Sequence, residues 1–204
     1  MENKQQNNRK PWSKQKELQK EDIPTPNDIL DTAYKIRKYR NRALYVLTYL
    51  TAGRISELIR YQYYKNKKDI HPSIKRKEIN FTKKDGREVM LITIRNEKNK
   101  RKRKKTIPIS LDNDFHKKLV NSIMPYLQEK EFDEELFPFK YQYTYHKIFK
   151  EICNPHWLRH VRLTHLIVYH GFSDFLLQRY AGWANTKPAG IYSELRWGDI
   201  LDKY

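Results

Sequence analysis

Residues 155–160 have the sequence Pro-His-Trp-Leu-Arg-His, and this stretch says more about the fold and chemistry than any other. Proline suits the first position of a helix, and the pattern that follows predicts a helix to His170, stopped by Gly171. On that helix, His156 and Arg159 are three positions apart and share a face. The imidazole can move a proton near neutral pH, and the guanidinium can grip two phosphate oxygens. The pair indicates a phosphate site, although an ordinary helix face can also carry both residues.

Helical signals occur on both sides of this stretch. Thr25, Pro26 and Asp28 have the spacing of a capping box at a helix start. The helix that starts there is predicted to cover 26–38. Further helices are predicted at 41–50, 55–64, 115–127, 145–152 and 173–180. A short helix should carry Tyr192.

The middle of the chain has the pattern of a β-hairpin. Residues 89–94 and 106–109 are β-type runs, and Pro108 predicts that its strand lies at a sheet edge. The segment between them, 95–105, has eight positive residues and one negative residue. Because these charges repel one another, a polyanionic partner explains them better than a solvated turn does. The predicted fold class is mainly α with a small antiparallel β-sheet (α+β).

Composition narrows the class of protein. The 204 residues carry 42 Lys and Arg against 24 Asp and Glu, a formal net charge of +18, which points to nucleic acid, as in many RNA-binding proteins. No apolar run approaches the roughly 20 residues of a membrane-spanning helix, so no membrane association is expected. The single cysteine, Cys153, fits a reducing compartment. We therefore expect a protein that stays inside the cell and binds nucleic acid. Residues 1–23 are predicted to be a basic, disordered arm.

Two further segments could carry chemistry. In the segment 51–58, Arg54 lies near a predicted helix start that favours anions, and Glu57 could brace a neighbouring cation or form a surface salt bridge. Gly182-Trp183 is followed nine positions later by Tyr192, one of 15 tyrosines. A phenol has a pKa of about 10 and needs nearby cations to attack at neutral pH.

A metal site is an alternative for the histidines. His156 and His160 have the spacing of a zinc pair, but Trp157 stands where a metalloprotease needs Glu. No metal and no other cofactor is expected.

In their order and spacing, these segments resemble the tyrosine recombinase (phage integrase) family. The stretch 51–58 resembles the family's first arginine box, 155–166 resembles the second, and Gly182-Trp183 with Tyr192 resembles the end of that box and the nucleophile. The resemblance covers about residues 24–195 and implies the catalytic-domain fold of the family. It divides the chain into the arm, 1–23, and a catalytic domain, 24–204, in a minimal form without an evident core-binding domain.

The resemblance also implies roles for single residues. Tyr192 would be the nucleophile, and Arg54 and Arg159 would clamp the scissile phosphate. His156 would assist proton transfer, Trp183 could donate its indole N–H to the phosphate, and Glu57 would support the site. The hairpin lysine that protonates the leaving oxygen would be Lys98, with Lys100 as the alternative. The cations that would grip the DNA backbone are Arg95, Arg101, Lys102, Arg103, Lys104 and Lys105.

The implied function is a site-specific recombinase or integrase that cuts and rejoins DNA strands through a 3′-phosphotyrosyl intermediate, without metal or ATP. Its partners would be double-stranded DNA and further copies of the chain, as a dimer or tetramer on DNA. The resemblance also implies a cytoplasmic, DNA-associated protein from a prokaryotic cell, a virus or a mobile element. Two alternatives stay open at this point. One is a type IB topoisomerase-like enzyme that nicks and reseals DNA, and the other is a non-catalytic DNA-binding protein of the same fold.

Overall fold

The computed structural model describes residues 23–62, 70–95 and 104–193. Its α-helices are α1 (Pro26–Lys35), α2 (Tyr39–Thr51), α3 (Ile55–Leu58), α4 (Asp114–Gln128), α5 (Tyr141–Tyr143), α6 (Pro155–Val168), α7 (Asp174–Ala181) and α8 (Gly190–Ser193). A π-helical turn, Thr144–Phe149, continues α5, and 3-10 turns cover Arg76–Glu78 and Lys187–Ala189. In the described ranges, no helix combines the length and the apolar character needed to cross a lipid bilayer.

Helix α2 lies at the centre of the core. Every residue from 43 to 51 is buried, and the helix packs against both α4 and α6. The polar positions on this buried helix are satisfied locally, because the hydroxyls of Thr48 and Thr51 donate to the carbonyls of Leu44 and Leu47, each at 2.7 Å. These polar side chains can therefore be buried without losing hydrogen bonds. The candidate residues Arg54 and Glu57 follow directly after this helix.

The strands are β1 (Tyr61–Gln62), β2 (Ile70–His71), β3 (Ile79–Lys84), β4 (Arg87–Arg95) and β5 (Lys104–Ser110). Strands β3, β4 and β5 form an antiparallel sheet in that order, and β1 pairs with β2 separately. The hairpin predicted from 89–94 and 106–109 is confirmed as β4–β5, and Pro108 lies on an edge strand as expected. The fold class, mainly α with small antiparallel sheets, is also confirmed.

Strand β3 was not predicted. Only its first residue, Ile79, is buried. The strand therefore lacks alternating burial, and the apolar-polar alternation of Ile79-Asn80-Phe81-Thr82 extends over only four residues. It is instead specified by the turn Asp85-Gly86, where both residues have positive φ, 52° and 78°. Asp-Gly is a favoured sequence for a two-residue hairpin turn, and this signal could have identified the strand.

Helix α3 is shorter than predicted. The sequence indicated a helix over 55–64, but α3 ends at Leu58 and Ile59 has an extended backbone. The Arg95 guanidinium donates to the carbonyls of Ser56 and Ile59 at 2.8 and 2.9 Å. A side chain distant in sequence therefore binds carbonyls that a longer helix would direct to its own N–H groups.

The local signals at other helix ends were reliable. The capping box of Thr25 and Asp28 is present, although α1 ends at Lys35 rather than near Lys38. Helix α7 ends in Gly182, which has a left-handed backbone with φ of 72°.

Candidate active site

Helix α6 positions three candidate residues at its start. The Asn154 side chain caps the helix by accepting from the His156 N–H at 2.8 Å, and Pro155 occupies the first turn. His156 is exposed, Arg159 is 3% exposed and His160 is intermediate. The N-terminal half of α6 thus carries an exposed histidine, His156, and a buried cation, Arg159.

The turn between α2 and α3 places Arg54 opposite this helix. Ala52 has a left-handed backbone, with φ of 42°. Gly53 has no room for a side chain, since a Cβ there would lie 2.7 Å from the Thr51 Oγ1 atom. Arg54 then starts α3, and both its backbone N–H and its Nη1 donate to the Glu57 carboxylate at 3.0 Å. Glu57 is buried, so the carboxylate holds Arg54 from inside the protein.

Arg159 is anchored to the same turn. Its Nη1 donates to the carbonyl of Ala52, whereas its buried Nη2 has no hydrogen-bond partner among the described residues. The guanidinium also lies over the Trp183 ring, 5.9 Å from the ring centre. Burial and the nearby Arg54 lower the pKa of Arg159 to about 10, so it is still a cation at neutral pH. A buried N–H donor on a cation is a strong site for an anion.

Tyr192 reaches this site from α8. It is 5% exposed, and its ring stacks on Trp183 with the ring centres 5.9 Å apart. Its hydroxyl lies 2.9 Å from Nδ1 of His160. Burial raises the pKa of Tyr192 to about 12, although Arg159 opposes the shift, so the phenol is protonated at neutral pH.

His160 connects Tyr192 to the surface of the protein. Its Nε2 lies 3.3 Å from Nε2 of His156, and the two rings are perpendicular, with centres 4.8 Å apart. Burial, with smaller effects of His156 and Arg159, lowers the pKa of His160 to about 4. The spacing in the sequence identified His160 only as half of a candidate zinc pair. Within the described ranges, no three His, Cys, Asp or Glu side chains lie close enough together to hold a metal ion.

Lys105 lies inside this site, although the sequence predicted it among the cations that grip DNA. Its Nζ is 3.6 Å from the Glu57 carboxylate and donates to the Ala181 carbonyl at 3.3 Å. Burial lowers the pKa of Lys105 to about 8, with Glu57 acting against the shift and Arg159 and Arg54 adding to it. A sequence signal for this placement exists. Lys105 shares the strand face of Ile107 and Ile109, which are buried.

The other predicted DNA-binding cations differ in their placement. Arg95 donates to the carbonyls of Ser56 in α3 and of Ile59 directly after it. Exposed Lys104 pairs with Glu78 at 2.5 Å. The remaining hairpin residues of the prediction are outside the described residues. They are Lys98, Lys100, Arg101, Lys102 and Arg103.

The structure therefore brings together six of the predicted catalytic residues and adds two neighbours. The six are Arg54, Glu57, His156, Arg159, Trp183 and Tyr192. The two neighbours are His160 and Lys105. Of these residues, Arg54 and His156 line a cavity of about 150 Å³, together with Gly53. The arrangement can hold an anion against a protonated phenol.

Solved structures with the same fold include two recombinases. The XerH recombinase bound to its difH substrate before cleavage superposes with a TM-score of 0.56 and 20% identity, over 90% of this chain and 51% of XerH. The XerA recombinase gives a TM-score of 0.55 and 17% identity, over 88% of this chain and 61% of XerA. The chain thus spans about half the length of XerH, and at these identities the likeness shows the fold.

Sequence comparison gives the family. No curated protein matches the chain. Residues 16–197, however, match the Phage integrase family. The matched range is nearly the whole chain and includes every box on which the resemblance was based. The chain belongs to the phage integrase family.

Proposed function

We propose that the chain is the catalytic part of a site-specific recombinase that cuts and rejoins DNA with Tyr192 as its nucleophile. The observation that carries this proposal is that the buried Tyr192 phenol and the Arg159 guanidinium both contact the Trp183 ring. The Nη2 of Arg159 is buried and has no hydrogen-bond partner among the described residues. The net charge of +18 and the family membership support DNA as the partner. The XerH structures, in complexes before and after cleavage of difH, are a precedent in fold.

The cleavage step follows from the charges in the site. The Tyr192 oxygen attacks the scissile phosphorus, the bond from phosphorus to the 5′ oxygen breaks, and a 3′-phosphotyrosyl link forms. Arg54, Arg159 and His156 would bind the non-bridging oxygens, where negative charge grows. The indole N–H of Trp183 would add a further donor. Because Glu57 holds Arg54 and the Ala52 carbonyl holds Arg159, these cations need no reorganisation as the charge develops.

Rejoining is the same reaction in reverse. A 5′-hydroxyl attacks the phosphotyrosyl phosphorus and releases Tyr192, either on the original strand or on another one. Because the intermediate keeps the phosphoester bond energy, the proposed reaction needs no ATP. Cations of the chain supply the electrostatic stabilisation that metal ions supply in other phosphoryl transfers. Exchange between strands would require several copies of the chain on the DNA, as a dimer or tetramer.

The hairpin would supply the proton for the leaving 5′ oxygen. Lys98 remains the assignment, with Lys100 as the alternative. The cations Arg101, Lys102, Arg103 and Lys104 would bind the DNA backbone, which fixes position without reading sequence. A substrate with sulfur in place of the leaving 5′ oxygen tests the assignment, because a thiolate leaves without a proton. The lysine whose loss this substrate rescues is the acid.

One experiment tests the function as a whole. The protein is incubated with a pool of nicked suicide duplexes of randomised sequence, and adducts that resist SDS are isolated and sequenced. We expect wild type to form an adduct on an enriched sequence, Tyr192→Phe to form none, and the matched control Tyr49→Phe to form it. No adduct from wild type, or an adduct from Tyr192→Phe, would contradict the proposal. Trapped DNA without sequence enrichment would favour the topoisomerase-like alternative.

A further inference from the structure

Three side chains form a line from the nucleophile to the protein surface. The Tyr192 hydroxyl is 2.9 Å from His160 Nδ1, and the opposite nitrogen of His160 is 3.3 Å from His156 Nε2. Tyr192 is 5% exposed, whereas His156 is exposed. The phenolic proton thus has a direct path to solvent through two imidazoles, and very little contact with solvent by any other path.

One of the two neutral tautomers of His160 makes this residue a base for Tyr192. When the phenol donates to His160 Nδ1, that nitrogen carries a lone pair and the hydrogen of the neutral ring is on Nε2. The His160 Nε2–H then donates to His156 Nε2, which acts as acceptor. In this arrangement His160 offers the phenol a base, and the ring is held in place from both sides.

We infer that His160 is a catalytic residue, the general base that accepts the proton of Tyr192 as its oxygen attacks phosphorus. The inference rests on the proposed function and adds to it a residue for which the family resemblance implied no role. As the bond from the Tyr192 oxygen to phosphorus forms, the hydroxyl proton moves to Nδ1 of His160. The bond from phosphorus to the 5′ oxygen breaks, and that oxygen takes its proton from the hairpin acid.

Rejoining restores the proton. When the 5′-hydroxyl attacks and the phosphotyrosyl bond breaks, Tyr192 leaves and recovers its proton from Nδ1 of His160. Between the two steps His160 is an imidazolium, and its Nε2–H shares the charge with His156. The bound phosphate lies next to this cation and stabilises it, so the protonated histidine is favoured when DNA occupies the site.

The surroundings of His160 keep its ring neutral but make it a weak base until the negative charge of a phosphate is bound nearby. The groups that face His160 are His156 and Arg159 on α6 and Tyr192 on α8. Burial and the two cationic or titratable neighbours keep His160 neutral, with a pKa of about 4, so its lone pair is available at neutral pH. The phenol, with a pKa of about 12, would be ionised in only about one molecule in 10⁵ at pH 7, so attack needs a proton acceptor.

The test compares His160→Asn with wild type in single-turnover cleavage of a suicide duplex selected as above. The amide oxygen of Asn can still accept a hydrogen bond at the position of Nδ1, but it does not take a proton at neutral pH. We expect cleavage to slow by about 10²- to 10⁴-fold with unchanged DNA affinity. His160→Gln, which places its amide near the position of Nε2, should be at least as slow. Thermal unfolding of both variants confirms that they are folded.

Two chemical substitutions show whether His160 takes the proton of the attacking Tyr192 or supplies a proton to the leaving 5′ oxygen. A fluorinated tyrosine at position 192 has a more acidic phenol, so it should speed His160→Asn by a larger factor than it changes wild type. A sulfur leaving group should rescue loss of the hairpin lysine but leave His160→Asn slow. Equal effects of fluorotyrosine in both proteins, rescue by sulfur, or wild-type cleavage by His160→Asn would overturn the inference. Each of these results leaves Tyr192 as nucleophile, whereas absence of any wild-type adduct would contradict the proposed function itself.

Discussion

Helix α6 contributes to two groups that have the same composition and differ in access. We call Tyr192, His160 and Arg159 the open group, and Tyr49, His165 and Arg162 the sealed group. In each group a tyrosine hydroxyl lies close to Nδ1 of a histidine, at 2.9 Å in the open group and 2.7 Å in the sealed group. In each group the arginine is buried and has a side-chain nitrogen without a hydrogen-bond partner among the described residues.

The groups differ in what lies behind the histidine and the arginine. In the sealed group, the second nitrogen of His165 is 2.8 Å from the Pro24 carbonyl, and Arg162 lies against the rings of Tyr49 and Tyr180. In the open group, the second nitrogen of His160 faces exposed His156, and Arg159 is close to Arg54, which lines the cavity. A buried Tyr-His-Arg group is therefore not a site by composition alone. It becomes one when a proton and an anion can reach it.

The largest expected difference between the groups concerns their arginines. Arg159→Ala should slow DNA cleavage by about 10²- to 10³-fold, because it removes a donor to the transition-state charge. Arg162→Met should leave the cleavage rate within a few-fold of wild type. Its free energy of unfolding should be equal or higher, since an apolar side chain of similar length replaces a buried cation. Single-turnover cleavage and urea unfolding measure the two effects.

The two arginine variants also provide their own control. If Arg162→Met cleaves DNA as slowly as Arg159→Ala while remaining folded, the sealed group takes part in catalysis and the distinction by access is wrong. If Arg159→Ala loses stability but not activity, the open group is structural as well.

The sealed group should make the folded state sensitive to acid. Burial lowers the pKa of His165 to about 4, with Arg162 and His170 adding to the shift and the Pro24 carbonyl opposing it, and burial lowers the pKa of His116 to about 3. The unfolded state binds more protons than the folded state below pH 6.5, so this stability is fully present above pH 6.5. It is lost as the pH falls towards 4, and His165 alone contributes on the order of 3 kcal/mol.

Urea unfolding at a series of pH values between 4 and 7.5 measures this loss. We expect a shallower pH dependence for His165→Asn, because the new side chain does not titrate. In Arg162→Met the loss should begin at the same pH but level off at a higher one, because removing the cation raises the folded-state pKa of the histidines around it. An unchanged pH profile in both variants would mean that other groups cause the acid sensitivity.

Two adjacent lysines test whether a cation must lie inside the site to affect cleavage. Lys105 is buried against Glu57 and Ala181, and Lys104 is exposed beside Glu78. Lys105→Gln should slow cleavage of bound DNA by about 10-fold and leave the salt dependence of binding unchanged, because a cation inside the site is lost. Lys104→Gln should leave the cleavage rate unchanged and reduce the slope of log affinity against log salt by about one. Identical profiles would place both lysines in the same role.

The sequence predicted those features that depend on neighbouring residues. Pro155 and the capping box at Thr25 mark helix starts, and Gly182 marks a helix end, because each acts on the backbone within one turn. The β4–β5 hairpin followed from its two β-type runs. The boxes that gave the family are also short and contiguous, so Arg54, Arg159 and Tyr192 could be chosen from the sequence alone.

Features that depend on distant residues were missed. Helix α3 stops where Arg95, more than 30 positions away, binds its carbonyls, and no local signal shows this. The contact between His160 and Tyr192 joins residues 32 positions apart, so His160 appeared only as a neighbour of His156. Lys105 shows the intermediate case. Strand alternation places it with Ile107, but the high charge of the segment suggested exposure instead.

The smallest expected difference concerns the aromatic ring next to each group. Trp183 stacks on Tyr192, and Tyr180 packs against Phe172 and donates its hydroxyl to the Leu50 carbonyl. Trp183→Phe keeps a ring in the stack but removes the indole N–H, so cleavage should slow by about 5-fold, the equivalent of one hydrogen bond of about 1 kcal/mol. Tyr180→Phe should leave the rate unchanged and reduce the free energy of unfolding by about 1 kcal/mol. A rate for Trp183→Phe equal to wild type would show that Trp183 packs against Tyr192 but donates no hydrogen bond to the phosphate. The histidines and arginines would then account for the difference between the two groups without the indole N–H.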